Sequence, residues 1–438
     1  MGSYHNAKQY PRVLVISNNS FSKTSSNGRT LANLFMGWPK DRIAQFCIST
    51  MEPDREVCEN YYLLTDMSML YGMKHMMKGK RCDIDNNFGT EGNTVIGGKR
   101  ISKTPWKALV RHWVWSGKRW NSHQFKEWVQ EIDPEVVVVM NSDATFILDI
   151  ATYISKRRKI PLVMYNTEGF FFLKRLYAKR FDWINEIALK IYQSIYRRHF
   201  RIMMNHVVLS VHLNSMLKAD YQTEFGGNHM VLYTGSEMVF NPSNLHINSP
   251  TFSYLGNFGF DRPSALIEIA EVLQAIDSNY KLDVYGRIPS PDVKAKFDSC
   301  PAIVYKGMIP YNEVISVIYK STILFHAESQ APQFEDSLRY GFSTKIADSI
   351  SSGHPFLMYS SPNVAGAKYL IESGAGWFAQ NRNELKEAIV SILTDELNRN
   401  TVLSMANLVA KENHNIYKNK ERFVNAISEI RISGSRRK

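Results

Sequence analysis

The chain has 438 residues, 44% of them hydrophobic, and its 53 basic and 41 acidic side chains leave a net charge of +12. That length exceeds one ordinary core and suits two domains of roughly 200 residues, and the apolar content excludes wholesale disorder. No apolar run nears the roughly 20 residues of a membrane-spanning helix, and the opening MGSYHNAKQYP holds no signal-peptide stretch, so a cytoplasmic protein is expected.

The first half reads as short β-branched strands separated by helical stretches: 12–17, 43–48, 135–140, 160–164, 207–210 and 230–233. These runs are apolar throughout rather than alternating, the signature of strands buried on both faces of a parallel sheet. Residues 50–125, rich in Met and Trp and poorly periodic, read as an irregular insertion. The polar stretch 241–250 reads as a linker between an N-terminal domain (1–240) and a C-terminal one (251–425). The second half repeats the pattern, with strands at 251–255, 281–285, 302–305, 322–326, 355–359 and 376–379. Residues 426–438, ending in SGSRRK, read as a basic disordered tail. The fold class is therefore α/β, two Rossmann-like doubly wound domains facing a cleft, where loop amides and helix N-termini converge on phosphate-bearing ligands.

Cys47, Cys58, Cys82 and Cys300 are scattered, with no Cys-x-x-Cys pair and no His cluster at metal spacing, so neither a disulfide nor structural zinc is expected. Asp83-Ile84-Asp85 lies in the irregular insertion and reads as surface loop, not as a metal motif.

The most informative stretch is YGFSTKIADSISSGHP, Tyr340 to Pro355. Ser343 and Thr344 precede an apparent helix with Lys345 in its first turn. Hydroxyls, free amides and a lysine together suit a diphosphate. Asp348, one turn on, is placed to accept from ribose hydroxyls. An ordinary capped helix with an exposed Lys–Asp pair explains the spacing as well.

The string FSTKIADSISSGHPFLMYSSP resembles the donor-site helix of the GT-B-fold glycosyltransferases of family 4, of the type that builds bacterial surface polysaccharides. TFSYLGNFGFDRP, KLDVYGR and AIVYKGMIPYNEVISVIYKSTILFHAES are similar, in order, to that family's preceding elements. The resemblance implies that Lys345 contacts the donor diphosphate, Asp348 the ribose, and Gly256 a phosphate through close backbone approach. Asn257 stands where the family has an arginine, and Arg262 where a lysine often occurs, so Arg262 and Arg287 are candidate helpers. Tyr340 stands where the family carries a first glutamate, with Glu328 or Glu335 as possible replacements. In the first half Gly28, followed by Arg29, matches a glycine loop near the donor phosphate. Asn166 matches a position where some members carry a histidine close to the reacting sugar, although an amide cannot act as a general base.

The resemblance implies a retaining, metal-independent glycosyltransferase with no cofactor. It would move a sugar from a nucleotide-diphosphate sugar, a UDP-sugar by expectation, to a saccharide or lipid-linked acceptor. A non-catalytic sugar-nucleotide-binding scaffold and a nucleotide-sugar epimerase are the competing readings. Basic and aromatic residues concentrate in 170–202. Lys190, Arg197 and Arg201 share one helical stripe beside Ile187, Ile191, Ile195 and Ile202. This reads either as a solvated crossover helix or as a peripheral contact with an anionic membrane, with Phe170–Phe172 and Tyr177 at the interface and the insertion's tryptophans contributing. No nucleic-acid-binding module appears.

Overall fold

The computed structural model describes residues 10–22, 26–48, 53–75, 80–82, 104–177, 181–242 and 245–435. Asp83 and Asp85 lie outside them. The chain forms two compact units, one of residues 1–213, 217–232 and 420–438, the other of 214–216 and 233–419.

The first unit holds an eight-stranded sheet: β1 (Val13–Ser17), β2 (Ile43–Cys47), β3 (Asn60–Leu63), β4 (Lys80–Cys82), β5 (Val136–Met140), β6 (Leu162–Asn166), β7 (Val207–His212) and β8 (His229–Val231). The order is β4-β3-β2-β1-β5-β6-β7-β8, parallel except for β4, which runs antiparallel to β3. Every side chain of β1, β2, β5 and β6 is buried, as a parallel sheet covered on both faces requires. The helices are α1 (Ser26–Phe35), α2 (Asp66–His75), α3 (Pro105–Ser116), α4 (His123–Ile132), α5 (Thr145–Arg158), α6 (Trp183–Met204) and α7 (Ser215–Phe225).

Three expectations change here. The stretch 50–125 supplies β3, β4, α2 and α3, so part of it extends the sheet rather than interrupting it. Trp115 stacks on Phe146 at 3.9 Å and, like Trp120, is buried, while Trp106 and Trp113 stay exposed. The tail is not disordered through its described length. A helix runs over Ile416–Ser435 and buries Phe423, Val424 and Ile427 in the first unit's core, with the Phe423 ring edge-on to Phe35 at 5.4 Å.

The second unit holds β9 (Phe252–Leu255), β10 (Leu282–Tyr285), β11 (Ile303–Gly307), β12 (Ile323–Ala327), β13 (Phe356–Tyr359) and β14 (Trp377–Ala379) in the order β11-β10-β9-β12-β13-β14, all parallel. Its helices are α8 (Arg262–Ile276), α9 (Pro291–Asp298), α10 (Tyr311–Lys320), α11 (Pro332–Leu338), α12 (Thr344–Ser352), α13 (Ala365–Ser373), α14 (Arg382–Thr394) and α15 (Glu396–Val409), and α16 is the Ile416–Ser435 helix that leaves the unit. The stretch 241–250 is not a free linker, because residues from 233 onward already belong to this unit. The Asn241 amide donates to Ser352 O at 2.8 Å, and Gly353, at φ 84°, has no room for a Cβ against Asn241.

In each sheet the order reverses once, between β1 and β5 and between β9 and β12. Loops leaving the carboxyl ends of those two strands diverge, opening a crevice of the kind where doubly wound sheets bind ligands. No helix among the described residues is long and apolar enough to cross a membrane.

Candidate functional site

At the second unit's reversal, β9 runs into Gly256 and Asn257, and α8 begins at Arg262. Phe260 and Asp261 both adopt left-handed backbone, φ 54° and 53°. Two consecutive non-glycine residues there cost about 1–3 kcal/mol each, a local strain typical of ligand-holding turns. Gly256 is required by its own protein rather than by a ligand: a Cβ would collide with the Tyr254 ring, whose hydroxyl donates to Asn257 O at 2.8 Å. The Gly256 amide donates to Tyr285 O at 2.9 Å, and Gly286 admits no Cβ against Gly256 O.

Arg262 is not the open cation the sequence suggested. Its side chain is buried and donates to Glu328, which follows β12, with Nη2 at 2.8 Å from Oε1 and 2.6 Å from Oε2. Nη1 donates to Asn257 Oδ1, which also accepts from the Gly259 amide. His326 Nε2 lies 3.1 Å from Glu328 Oε1 and carries the hydrogen, since a carboxylate only accepts. Burial works against the Glu328 charge, but the His326 hydrogen bond and Arg262 outweigh it and hold its pKa below the usual range. Burial likewise opposes the Arg262 charge, and Glu328 more than compensates, so its pKa is raised. The result is a buried His–Glu–Arg cluster, joining residues 66 positions apart and edged by the exposed Asn257. Arg262 Nε finds no acceptor in it. Arg287 is exposed just after β10.

The second group lies on α12. Ser343 is its N-cap, accepting from the Lys345 amide at 3.3 Å, so its hydroxyl is occupied by the helix itself. Thr344 and Lys345 form the first turn, both half-buried. Because α12 connects β12 to a parallel neighbour, its N-terminus and the positive end of its dipole lie at the sheet's carboxyl edge. Asp348 is buried and accepts from Ser236 Oγ at 2.6 Å. Tyr340 is buried, its carbonyl accepting from Asn214 Nδ2 at 3.1 Å. Glu335 is exposed on α11 and accepts from Asn363 at 2.9 Å, so of the two replacement carboxylates only Glu328 stands at the reversal.

In the first unit the structure places two of the candidate residues. Gly28 is not in a loop but in the first turn of α1, where a Cβ would lie 2.6 Å from Ser20 O. Its smallness seats the helix on the loop after β1. Asn166 is fully buried at the end of β6 with both amide ends engaged. It sits in a directional chain. Tyr196 O–H donates to Asn141 Oδ1 at 2.9 Å, and Asn141 Nδ2 to Asn166 Oδ1 at 2.8 Å. Asn166 Nδ2 faces His212 Nδ1 at 3.3 Å, His212 Nε2 faces His229 Nδ1 at 2.9 Å, and His229 Nε2 donates to Gly226 O at 2.6 Å. That last acceptor fixes the order of donors back along the chain. Burial, with the neighbouring His229 and Lys218 adding, depresses the His212 pKa to about 3, so the ring stays neutral.

Sequence reasoning assigned no role to Glu168, two residues beyond. Its side chain is open to solvent yet lies in a recess, where desolvation and then the Asp143 carboxylate push its pKa up to about 7. Asn141 Nδ2 also reaches Glu168 O at 3.4 Å, so the buried chain positions this backbone. Asn18 Oδ1, in the loop after β1, is a buried acceptor with no partner among the described residues. Because the folded-state value lies above the ordinary 4.5, the Glu168 carboxyl destabilises the fold increasingly as pH rises from 4.5 to about 7. Glu168→Gln is therefore expected to raise the melting temperature relative to the parent near pH ~8 and to leave it unchanged near pH ~4. An equal shift at both values in a thermal-denaturation series would show that the carboxyl does not titrate in this way.

No family model matches the sequence, and no curated protein matches it. Solved structures do. Anabaena HepE, solved with UDP and glucose, is 13% identical, with a TM-score of 0.59 over 95% of this chain and 99% of that one. Sucrose-phosphate synthase from Thermosynechococcus elongatus is 11% identical, with a TM-score of 0.62 over 96% of this chain and 100% of that one. A trehalose-6-phosphate protein from E. coli, bound with UDP-2-fluoro glucose, is 11% identical, with a TM-score of 0.56 over 95% of this chain and 99% of that one. The chain thus shares, along nearly its whole length, the GT-B fold of two Rossmann-like domains.

Proposed function

We propose that the protein is a glycosyltransferase that takes a UDP-sugar as donor and transfers its sugar to a saccharide or lipid-linked oligosaccharide in surface-polysaccharide assembly. One observation carries this reading: the likeness to HepE, which was solved with UDP and glucose, covers 95% of this chain and 99% of that one. The strained turn at Phe260–Asp261 and the α12 N-terminus with Lys345, both at the edge where doubly wound sheets bind phosphates, support it. In this reading Lys345 and the positive end of the α12 dipole receive the diphosphate, with Arg287 as a second cation. Asp348 meets the ribose through a carboxylate that Ser236 holds in place. The reaction is retaining and uses no metal or other cofactor. Charge developing on the leaving phosphate is met by donors already fixed in place, and such preorganised stabilisation is usually the main source of rate enhancement. The acceptor hydroxyl passes its proton to that phosphate. Work takes place at the inner face of a membrane.

A screen of sugar nucleotides by titration calorimetry tests this. UDP and one UDP-sugar are expected to bind in the micromolar range, more tightly than their GDP and ADP counterparts. The reading fails if no sugar nucleotide binds. Tyr340, in place of a carboxylate and sealed in the core, favours a second reading, a donor-binding subunit without turnover. Donor binding with no transfer across a panel of acceptors would select it.

A further inference from the structure

Helices of the first unit leave apolar side chains exposed in rows. Along α3, Trp106, Val110 and Trp113 recur at intervals of four and three, one helical face, with the two tryptophans 59% and 64% open. On α6, Ile184, Ile187 and Ile191 do the same, beside Trp183 at 73%. The two rows come together at one end, where the Trp106 amide donates to Asn185 Oδ1 at 3.3 Å. Beneath them Ala108 and Leu109 pack against a core of Leu176, Leu189 and Tyr192. Arg111 and the Trp115 indole both donate to Asp66 at 2.8 Å, which draws in α2 with its exposed Met67 and Leu70. A monomer rarely leaves so many large apolar groups on neighbouring elements without a use for them.

The outward face of α6 then changes character. Past Ile191 its exposed positions include Ser194, Arg198 and Arg201. A groove of about 800 Å³ opens there, walled by Lys174, Lys190, Arg197, Arg198 and Arg201, with no carboxylate among its lining residues. Arg197 donates to the carbonyls of Phe171 and Leu173, which hold it without neutralising it. Arg201 pairs with Glu224 at 3.0 Å. Phe171, expected at an interface, instead packs inward against Phe200 and Phe225, and Tyr177 packs on the small core beneath α3.

We propose that this face docks on an anionic phospholipid bilayer, the tryptophans and isoleucines entering the headgroup boundary while the basic groove takes lipid phosphates. The two halves together choose the partner. A second copy would set like charges against each other along the groove. A polyanion such as nucleic acid would use the groove and leave the apolar rows wet. An anionic bilayer satisfies both at once. This docking rests on the membrane-facing part of the proposed function and is independent of the donor chemistry.

Flotation of the full chain with phosphatidylcholine vesicles, with and without phosphatidylglycerol, tests it. Binding is expected only with phosphatidylglycerol and should weaken steeply with salt. Two triple variants, Trp106→Ser/Trp113→Ser/Ile187→Ser and Lys174→Ala/Lys190→Ala/Arg198→Ala, should each lose about tenfold or more in vesicle affinity. All six side chains are exposed, so melting temperatures should hold. Equal absence of binding to both vesicle types overturns the proposal, as does binding that survives both variants. A concentration-dependent dimer abolished by the apolar variant would assign the face to a second copy instead. Calorimetry with UDP on the same samples separates the two readings. Lost flotation with retained UDP binding removes only the docking, and absent UDP binding in a protein that floats removes only the transferase.

Discussion

Replacing Lys345 by alanine is expected to lower kcat/KM for sugar transfer by about 10²–10³-fold, equivalent to about 2.7–4 kcal/mol of transition-state stabilisation. The side chain sits in the first turn of α12, where the partial positive charges at the helix's amino end already favour an anion. Its ammonium adds a whole charge to those partial ones. The charge on a leaving nucleoside diphosphate grows as the glycosidic bond breaks, so a cation there gains more in the transition state than in the ground state. The fold should hardly notice, because the residue is half-buried and the cap is made by Ser343 Oγ and the Lys345 backbone amide, which alanine keeps. Thermal denaturation should therefore agree with the parent to within about 0.5 kcal/mol. Lys345→Arg should restore part of the rate. Full transfer by the alanine variant would remove Lys345 from the donor site and leave α12 as an ordinary capped helix.

The fold was largely legible because buried parallel strands announce themselves. Runs such as 136–140 and 323–327 are apolar at every position, or nearly so, and polar crossovers fall between them. β3 and β4 were missed because Asn60–Leu63 is brief and begins on Asn, while Lys80–Cys82 carries two cations in three residues. The closing helix was hidden by its polar end, although Phe423, Val424 and Ile427 share one helical stripe. The candidate site was legible only along the chain. Ser343, Lys345 and Asp348 fall within one helix and its cap, so local spacing places them. Asn166 and Arg262 took roles from position alone, and what decides their chemistry lies far off in sequence: Asn141 and His212 for one, Glu328 for the other. Neither partnership leaves a periodic or motif signal. Glu168 gave none either, since its raised pKa comes from the recess around it.

Arg262→Met is expected to destabilise the second unit by about 3–5 kcal/mol, because it leaves the Glu328 carboxylate buried with only His326 beside it. The pair itself is a weaker source of stability than that figure suggests, since burying both charges opposes much of their attraction. Arg262→Met combined with Glu328→Leu should therefore recover most of the loss, and a chemical-denaturation cycle over the four proteins reads the coupling directly. The pH dependence has a definite sign. Glu328 is held below its ordinary value of 4.5 in the folded state, so its contribution is complete above that value and is lost as pH falls through the lower, folded one. The parent should show this acid limb and Glu328→Gln should lack it. Titration with UDP then separates scaffold from ligand. If Arg262 serves only to hold Asn257 and the turn before α8, the stabilised double variant binds UDP as the parent does. If Arg262 leaves Glu328 for the diphosphate, with its unpaired Nε as a further donor, that variant stays folded and still loses affinity. Stability and binding therefore move together in the first case and part in the second, and only the second makes this buried pair part of the donor site.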